Sequence, residues 1–171
     1  MLRFVEDSAA TEPTLANDSS ACCTLRLPAA FHAEIEKRVP GFRLWRMEEY
    51  VPDAISGYEL KPRQAPFAVV ADFDGDGAAD VVIQGRTDGE EVRVVLLGRR
   101  AASPAFFELK RDSIYDPRAS VVLHYVPPQR LGGPDEPAMQ LRHDAFEAAG
   151  IDAATVYYFD RGKFVPYQTS N

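Results

Sequence analysis

The run Asp72-Phe73-Asp74-Gly75-Asp76-Gly77-Ala78-Ala79-Asp80 constrains this chain more than any other stretch, because it sets four carboxylates and two glycines between two apolar segments. The flanks are Phe67-Ala68-Val69-Val70 and Val81-Val82-Ile83. Short apolar runs bounded by turn residues read as buried strands. The acids fall at positions 1, 3, 5 and 9 of the run and the glycines at 4 and 6. Like charges held this close repel, so a folded loop must raise some of their pKa values or supply a cation.

A divalent ion resolves the conflict. Calcium takes about six to eight oxygen ligands in a flexible geometry, so alternating carboxylates plus one backbone carbonyl suit it. The carbonyl is expected from Ala78. Magnesium demands a tighter octahedron, while zinc and copper prefer nitrogen and sulfur donors that the run lacks. Gly75 and Gly77 let the backbone turn through conformations closed to residues with a Cβ. An EF-hand also begins with alternating acids and has glycine at position 6, but it closes with a bidentate Glu at position 12, where this chain has Ile83.

The segment from Phe67 to Ile83, FAVVADFDGDGAADVVI, resembles the calcium loop of the FG-GAP and VCBS repeat families. That resemblance implies a bound calcium ion with Asp72, Asp74, Asp76, Asp80 and the Ala78 carbonyl as its ligands. It also implies an extracytoplasmic setting, periplasmic or extracellular, where calcium is plentiful. Those families set the loop in successive blades of a propeller, which recur about every 40 to 60 residues. No second copy occurs, so the expectation is a single-loop, bacterial-type domain and not a complete propeller.

Around the loop, the pattern is that of an α+β chain, mainly antiparallel sheet with one short N-terminal amphipathic helix. Residues 1–24 read as a flexible polar lead carrying Cys22 and Cys23, and residues 25–171 as a single strand-rich domain. Pro28 stands where a helix begins, and Phe31, Ile35 and Val39 follow at helical spacing until Pro40-Gly41. From Phe42 the period changes. Strands are expected at 42–47, 67–71, 80–84, 92–97, 105–109, 120–126, 155–159 and 164–167. Asp88-Gly89 and Asp160-Arg161-Gly162 carry hairpin chemistry. Residues 127–137 read as a loop, and 138–151 fits either strand or short helix.

The adjacent cysteines give neither a zinc pattern nor a disulfide framework, since neighbouring Cα atoms lie about 3.8 Å apart. A net charge of -7 argues against nucleic acid as a partner, since that binding needs a basic face. No apolar run approaches the roughly 18 residues of a membrane span, and the first twenty residues lack the apolar region of a signal peptide. A protein or a carbohydrate is the expected partner class. Trp45 with Tyr50, and Tyr157-Tyr158-Phe159, suit either such a binding face or the core.

Two functions from different classes follow. The first is a noncatalytic, calcium-binding structural or interaction module. The second is a metal-dependent phosphatase, because an apolar strand followed by Asp72-Phe73-Asp74-Gly75 resembles the nucleophile motif of the haloacid dehalogenase type, with Asp72 as nucleophile and Asp74 as acid/base. That family's motif continues with Thr where this chain has Asp76, and helix-strand alternation is missing. His32, His124 and His143 have no Gly-x-Ser-x-Gly elbow to serve. His143-Asp144 lacks the partner motifs of a kinase loop. The noncatalytic reading is therefore the expectation.

Overall fold

A computed structural model describes residues 3–19, 22–99, 103–114, 116–132 and 138–169, without the side chains of 3, 4, 17–19 and 22. The chain begins β1 (Arg3–Asp7), β2 (Thr14–Ser19), β3 (Cys22–Pro28) and α1 (Ala29–Arg38). β4 (Arg43–Leu44), a 3-10 turn (Met47–Glu49), α2 (Pro52–Ile55), β5 (Gln64–Ala65) and β6 (Ala68–Ala71) follow. Next come β7 (Asp80–Arg86), β8 (Glu90–Leu97), β9 (Ala105–Ser113) and β10 (Val122–Val126). The last elements are β11 (Arg130–Leu131), β12 (Met139–Gln140), β13 (Ala145–Ala149), β14 (Ala154–Asp160) and β15 (Lys163–Thr169).

The fold is built mainly of antiparallel sheet. A central sheet runs β5-β6-β7-β8-β9, with β4 paired to the far end of β7. An N-terminal sheet has the order β1-β3-β2, and a C-terminal sheet β10-β13-β14-β15. β1 and β3 are the one parallel pair of strands among the described residues.

β6 and β7, in the middle of the central sheet, are buried on both faces, which explains why they read as unbroken apolar runs instead of an alternating pattern. Val81 and Ile83 of β7 join Leu25 and Leu27 of β3 and Phe31 and Ile35 of α1 in one core. Val82, between them, points the other way and packs with Leu123 and Phe146 of the C-terminal sheet. β8 alternates likewise, Val94 and Leu96 facing the first core and Val95 and Leu97 the second. The acidic loop joins β6 to β7 and sits at the end of the layer that both outer layers grip.

α1 forms where the apolar spacing predicts it. Pro28 precedes its first turn, and Phe31, Ile35 and Val39 are buried along one face. Lys37 and Arg38 lie in the last turn, where they oppose the negative end of the helix dipole. Both hairpin signals give antiparallel pairs, β7 with β8 and β14 with β15. In the second, Arg161 and Gly162 take φ values of 48° and 84° between the paired Asp160 and Lys163. That is the turn geometry matching strand twist.

Several expectations change: a second short helix, α2, follows the one expected, and β11, paired with β12, lies in the stretch 127–137 expected as a loop. The polar lead expected over residues 1–24 holds β1, β2 and the start of β3, with a turn at 8–13 between the first two, and Cys23 is only 3% exposed. β3 lies between β1 and β2, so its residues from Cys23 to Pro28 are buried apart from Arg26. The side chain of Cys22 lies outside the described residues. The strand expected over 42–47 stops at Leu44. Glu49 accepts from the Arg43 guanidinium at 2.8 and 2.9 Å and from the Arg46 amide at 2.9 Å, which curls the chain into the 3-10 turn. The ambiguous stretch 138–151 holds β12 and β13 and no helix.

Trp45 and Tyr50 pack in the core, at 1% and 4% exposure. No helix among the described residues is long and apolar enough to cross a membrane.

Candidate metal centre

The loop geometry starts from its registers. Ala71 pairs with Asp80, so residues 72–79 form the connection of an antiparallel hairpin whose two strands enter it rigidly held. Phe73 drops into the second core with no exposure, and Asp72 and Asp74 on either side of it are left half-buried at the surface. Ala78 is buried on the way back, and Asp80 is fully buried. Gly75 and Gly77 both adopt left-handed backbone, φ 78° and 82°. These turns bring main-chain amides round toward the first acid.

The carboxylates organise the loop. Asp72 accepts from the amide of Gly75 at 2.8 Å on one oxygen and from that of Gly77 at 3.0 Å on the other. Asp74 accepts from the Asp76 amide at 3.2 Å, and Asp76 from the Ala78 amide at 2.7 Å. Asp80 accepts from the Phe73 amide and from the Gly98 amide, each at 2.7 Å. The second of these ties the loop to the end of β8.

Asp72, Asp74 and Asp80 each offer an oxygen within 4.8 Å of the others. Asp76 is exposed and lies outside that group, and Ala78 is buried. Of the five residues expected as ligands, three carboxylates are thus gathered at one point. The group is made of carboxylates alone, hard oxygen donors that suit calcium or magnesium better than zinc or copper. Two clefts meet the loop and give it access to solvent. One, of about 670 Å³, takes in Asp74, His143 and Asp144, and the other, of about 580 Å³, takes in Asp72, Gly77 and Asp144.

Electrostatics agrees with the sequence argument about crowded acids. Burial pushes the Asp80 carboxyl up to about 8, the neighbouring charges of Asp74 and Asp72 adding to that push while the two amides pull against it. Burial also raises Asp74, with the charges of Asp76 and Asp72 acting in the same direction. A cation among these groups would reverse both shifts.

A second layer comes from the segment before β13. Asp144 accepts from the Asp72 amide at 3.3 Å, from the Tyr125 hydroxyl at 2.8 Å and from Arg63 at 3.3 Å. The His143 ring lies where a Cβ on Gly75 would project. His143 and Asp144 stand out in the sequence only as adjacent polar residues, and Arg63 and Tyr125 carry no local signal at all. Their role here comes from tertiary packing across the two sheets.

The chain matches no family model, no curated protein and no solved structure.

Proposed function

We propose that this protein is a calcium-binding, noncatalytic structural or interaction module of the FG-GAP and VCBS type. In this reading it is a single α+β domain with one loop in place of a complete propeller, working outside the cytoplasm. The observation that carries the reading is the convergence of Asp72, Asp74 and Asp80, whose carboxylate oxygens lie within 4.8 Å of one another. Three acids so placed at the junction of two doubly buried strands repel without a cation and bind one favourably. Asp76 and the Ala78 carbonyl complete the proposed ligand set.

When bound, calcium supplies charge neutralisation, and the residues around it then hold β6 and β7 in register at their open end. Because the ion binds the folded loop and not the unfolded chain, occupancy adds stability as RT ln(1 + [L]/Kd), about 2.7 kcal/mol at a hundredfold excess over Kd. A protein or carbohydrate partner would meet the module at the clefts beside the loop. The phosphatase alternative, with Asp72 as nucleophile and Asp74 as acid/base, draws no support from the antiparallel order around β6 and β7. Both oxygens of Asp72 are also engaged by backbone amides.

Thermal unfolding of chelator-treated protein tests the proposal. Calcium is expected to raise Tm, magnesium much less, and Asp72→Asn with Asp74→Asn to abolish the shift. Equal Tm values with and without calcium would sink it.

A further inference from the structure

We infer that Asp144 is the positioning residue of the metal loop, and that through it ion occupancy is coupled to the docking of the C-terminal sheet on the central one. The inference rests on the calcium reading of Asp72, Asp74 and Asp80. It adds a residue from the segment that enters the C-terminal sheet, which touches the loop backbone without belonging to the convergent carboxylate group.

Asp144 stands immediately before β13, at the point where the C-terminal sheet reaches the loop. Its Oδ2 accepts from the backbone N–H of Asp72, the first proposed ligand, and from the Arg63 guanidinium, both at 3.3 Å. Its Oδ1 accepts from Tyr125 on β10 at 2.8 Å. Arg63 also lies over the Tyr125 ring, 5.5 Å from its centroid. One carboxylate is thus fixed by a cation from before β5 and a hydroxyl from β10, and spends its remaining capacity on the ligand's main chain. The guanidinium offsets the charge that Asp144 would otherwise add to a crowded acidic site.

Two further contacts make this a clamp. The His143 ring covers Gly75 on the outside of the loop, and Phe73 enters the core against Phe146 of β13 on the inside. The segment from His143 to Phe146 therefore holds the first four residues of the loop from both sides. If docking this segment orders Asp72 and Asp74, holding an ion at Asp72 and Asp74 must favour docking by the same factor, since coupling between two binding events is reciprocal. Residues that orient ligands are typically worth ten- to a hundredfold in metal affinity.

Calorimetric titration with calcium alone, combined with hydrogen exchange at the amides of residues 145–149, tests this. For Asp144→Ala the expected result is calcium binding about tenfold weaker than the parent chain's. The parent is expected to gain exchange protection at 145–149 on adding calcium, and the variant to lose that gain. Asp144→Asn, which keeps an acceptor for the Asp72 amide, is expected to recover most of the affinity. Tyr125→Phe keeps the ring and removes only the hydroxyl, so it reads the same effect at about threefold should Asp144→Ala fail to fold.

Affinity within twofold of the parent's in Asp144→Ala, or in Tyr125→Phe where the first does not fold, overturns the inference, whatever happens to Tm. So does an Asn variant as weak as the Ala variant. A parent that binds no calcium overturns the proposed function and this inference together, whereas a binding parent with unaffected variants overturns the inference alone.

Discussion

Phe73 meets Phe146 edge to face, with ring centroids 5.5 Å apart and planes at 63°, and this contact roots the acidic loop in the core between the central and C-terminal sheets. Phe164 approaches the same ring at 6.1 Å. An alternating loop has an inner and an outer row, and Phe73 is the inner residue that leaves Asp72 and Asp74 outside. The loop is held by apolar burial as well as by its hydrogen bonds.

Phe73→Ala removes a fully buried ring from that cluster and leaves a cavity, at a cost of about 3–5 kcal/mol. Urea denaturation at fixed calcium measures it, and Phe73→Leu, which fills most of the space, is expected to cost less than half as much. Equal losses for the two variants would show that the cavity is not the source and would assign the cost to the ring contact that both variants lose.

Gly75 offers a separable test of the loop's shape. Its φ of 78° and the His143 ring beside it leave no room for a Cβ. Gly75→Ala is expected to cost about 1–3 kcal/mol through backbone strain and displacement of that ring. Gly89, in the β7–β8 hairpin, has no atom within 4 Å of the place a Cβ would take. Gly89→Ala should therefore stay within about 0.5 kcal/mol of the parent. The pair is compared by thermal denaturation, and similar Tm values for both would remove the case for a special conformation at Gly75.

Much of this arrangement is legible along the chain, because its signals are local. The spacing Phe31, Ile35, Val39 makes α1, Arg161-Gly162 makes a tight turn, and Val81-Val82-Ile83 is apolar because both of its faces are covered. The crowding of the loop's acids is legible for the same reason: the repulsion they set up is confined to nine residues. What is illegible depends on partners distant in sequence. Arg3–Asp7 pairs in parallel with Thr24–Pro28, and no short-range pattern announces a parallel partner. Asp144 reaches Asp72 across 72 residues of chain, so a lone aspartate after a histidine gives no hint of it. Spacing also ranks Asp76 evenly with Asp72 and Asp74, and only the folded turn shows that it is exposed and stands apart from the group they form with Asp80.

His124 gives the fold an acid limit independent of the loop. Its ring stacks on Tyr58 at 4.9 Å, and burial holds its pKa below the usual histidine value. Glu147 opposes that shift and Lys61 adds to it. A histidine depressed in the folded state binds fewer protons there than in the unfolded chain, so stability falls as pH drops through about 6.5 and onward to the folded value. Comparing urea midpoints of the parent and His124→Gln between pH 7.5 and 5 isolates this residue. The parent is expected to lose more stability than the variant, and parallel pH profiles would assign the acid limit elsewhere.

The layers also share a buried polar link, and it makes a prediction about specificity against stability. Arg93 on β8 is 4% exposed, and burial lowers its pKa against the pull of Tyr157 and Glu91. Its guanidinium donates to Gln84 Oε1 at 3.0 and 3.3 Å. The Gln84 amide nitrogen donates onward to the carbonyls of Val121 at 2.6 Å and Pro66 at 2.9 Å. A guanidinium does not shed its proton, so removing its acceptor leaves a buried charge short of a partner. Gln84→Leu is accordingly expected to cost about 3 kcal/mol, more than the loss of one neutral hydrogen bond. Adding Arg93→Leu removes the stranded charge and should restore part of that loss, so the double-mutant cycle has a favourable coupling of about 1 kcal/mol or more. A double variant no more stable than Gln84→Leu alone would mean that Arg93 finds solvent or Tyr157 without help. In that case Gln84 matters for its bonds to Pro66 and Val121, which join the central sheet to the segment entering β10.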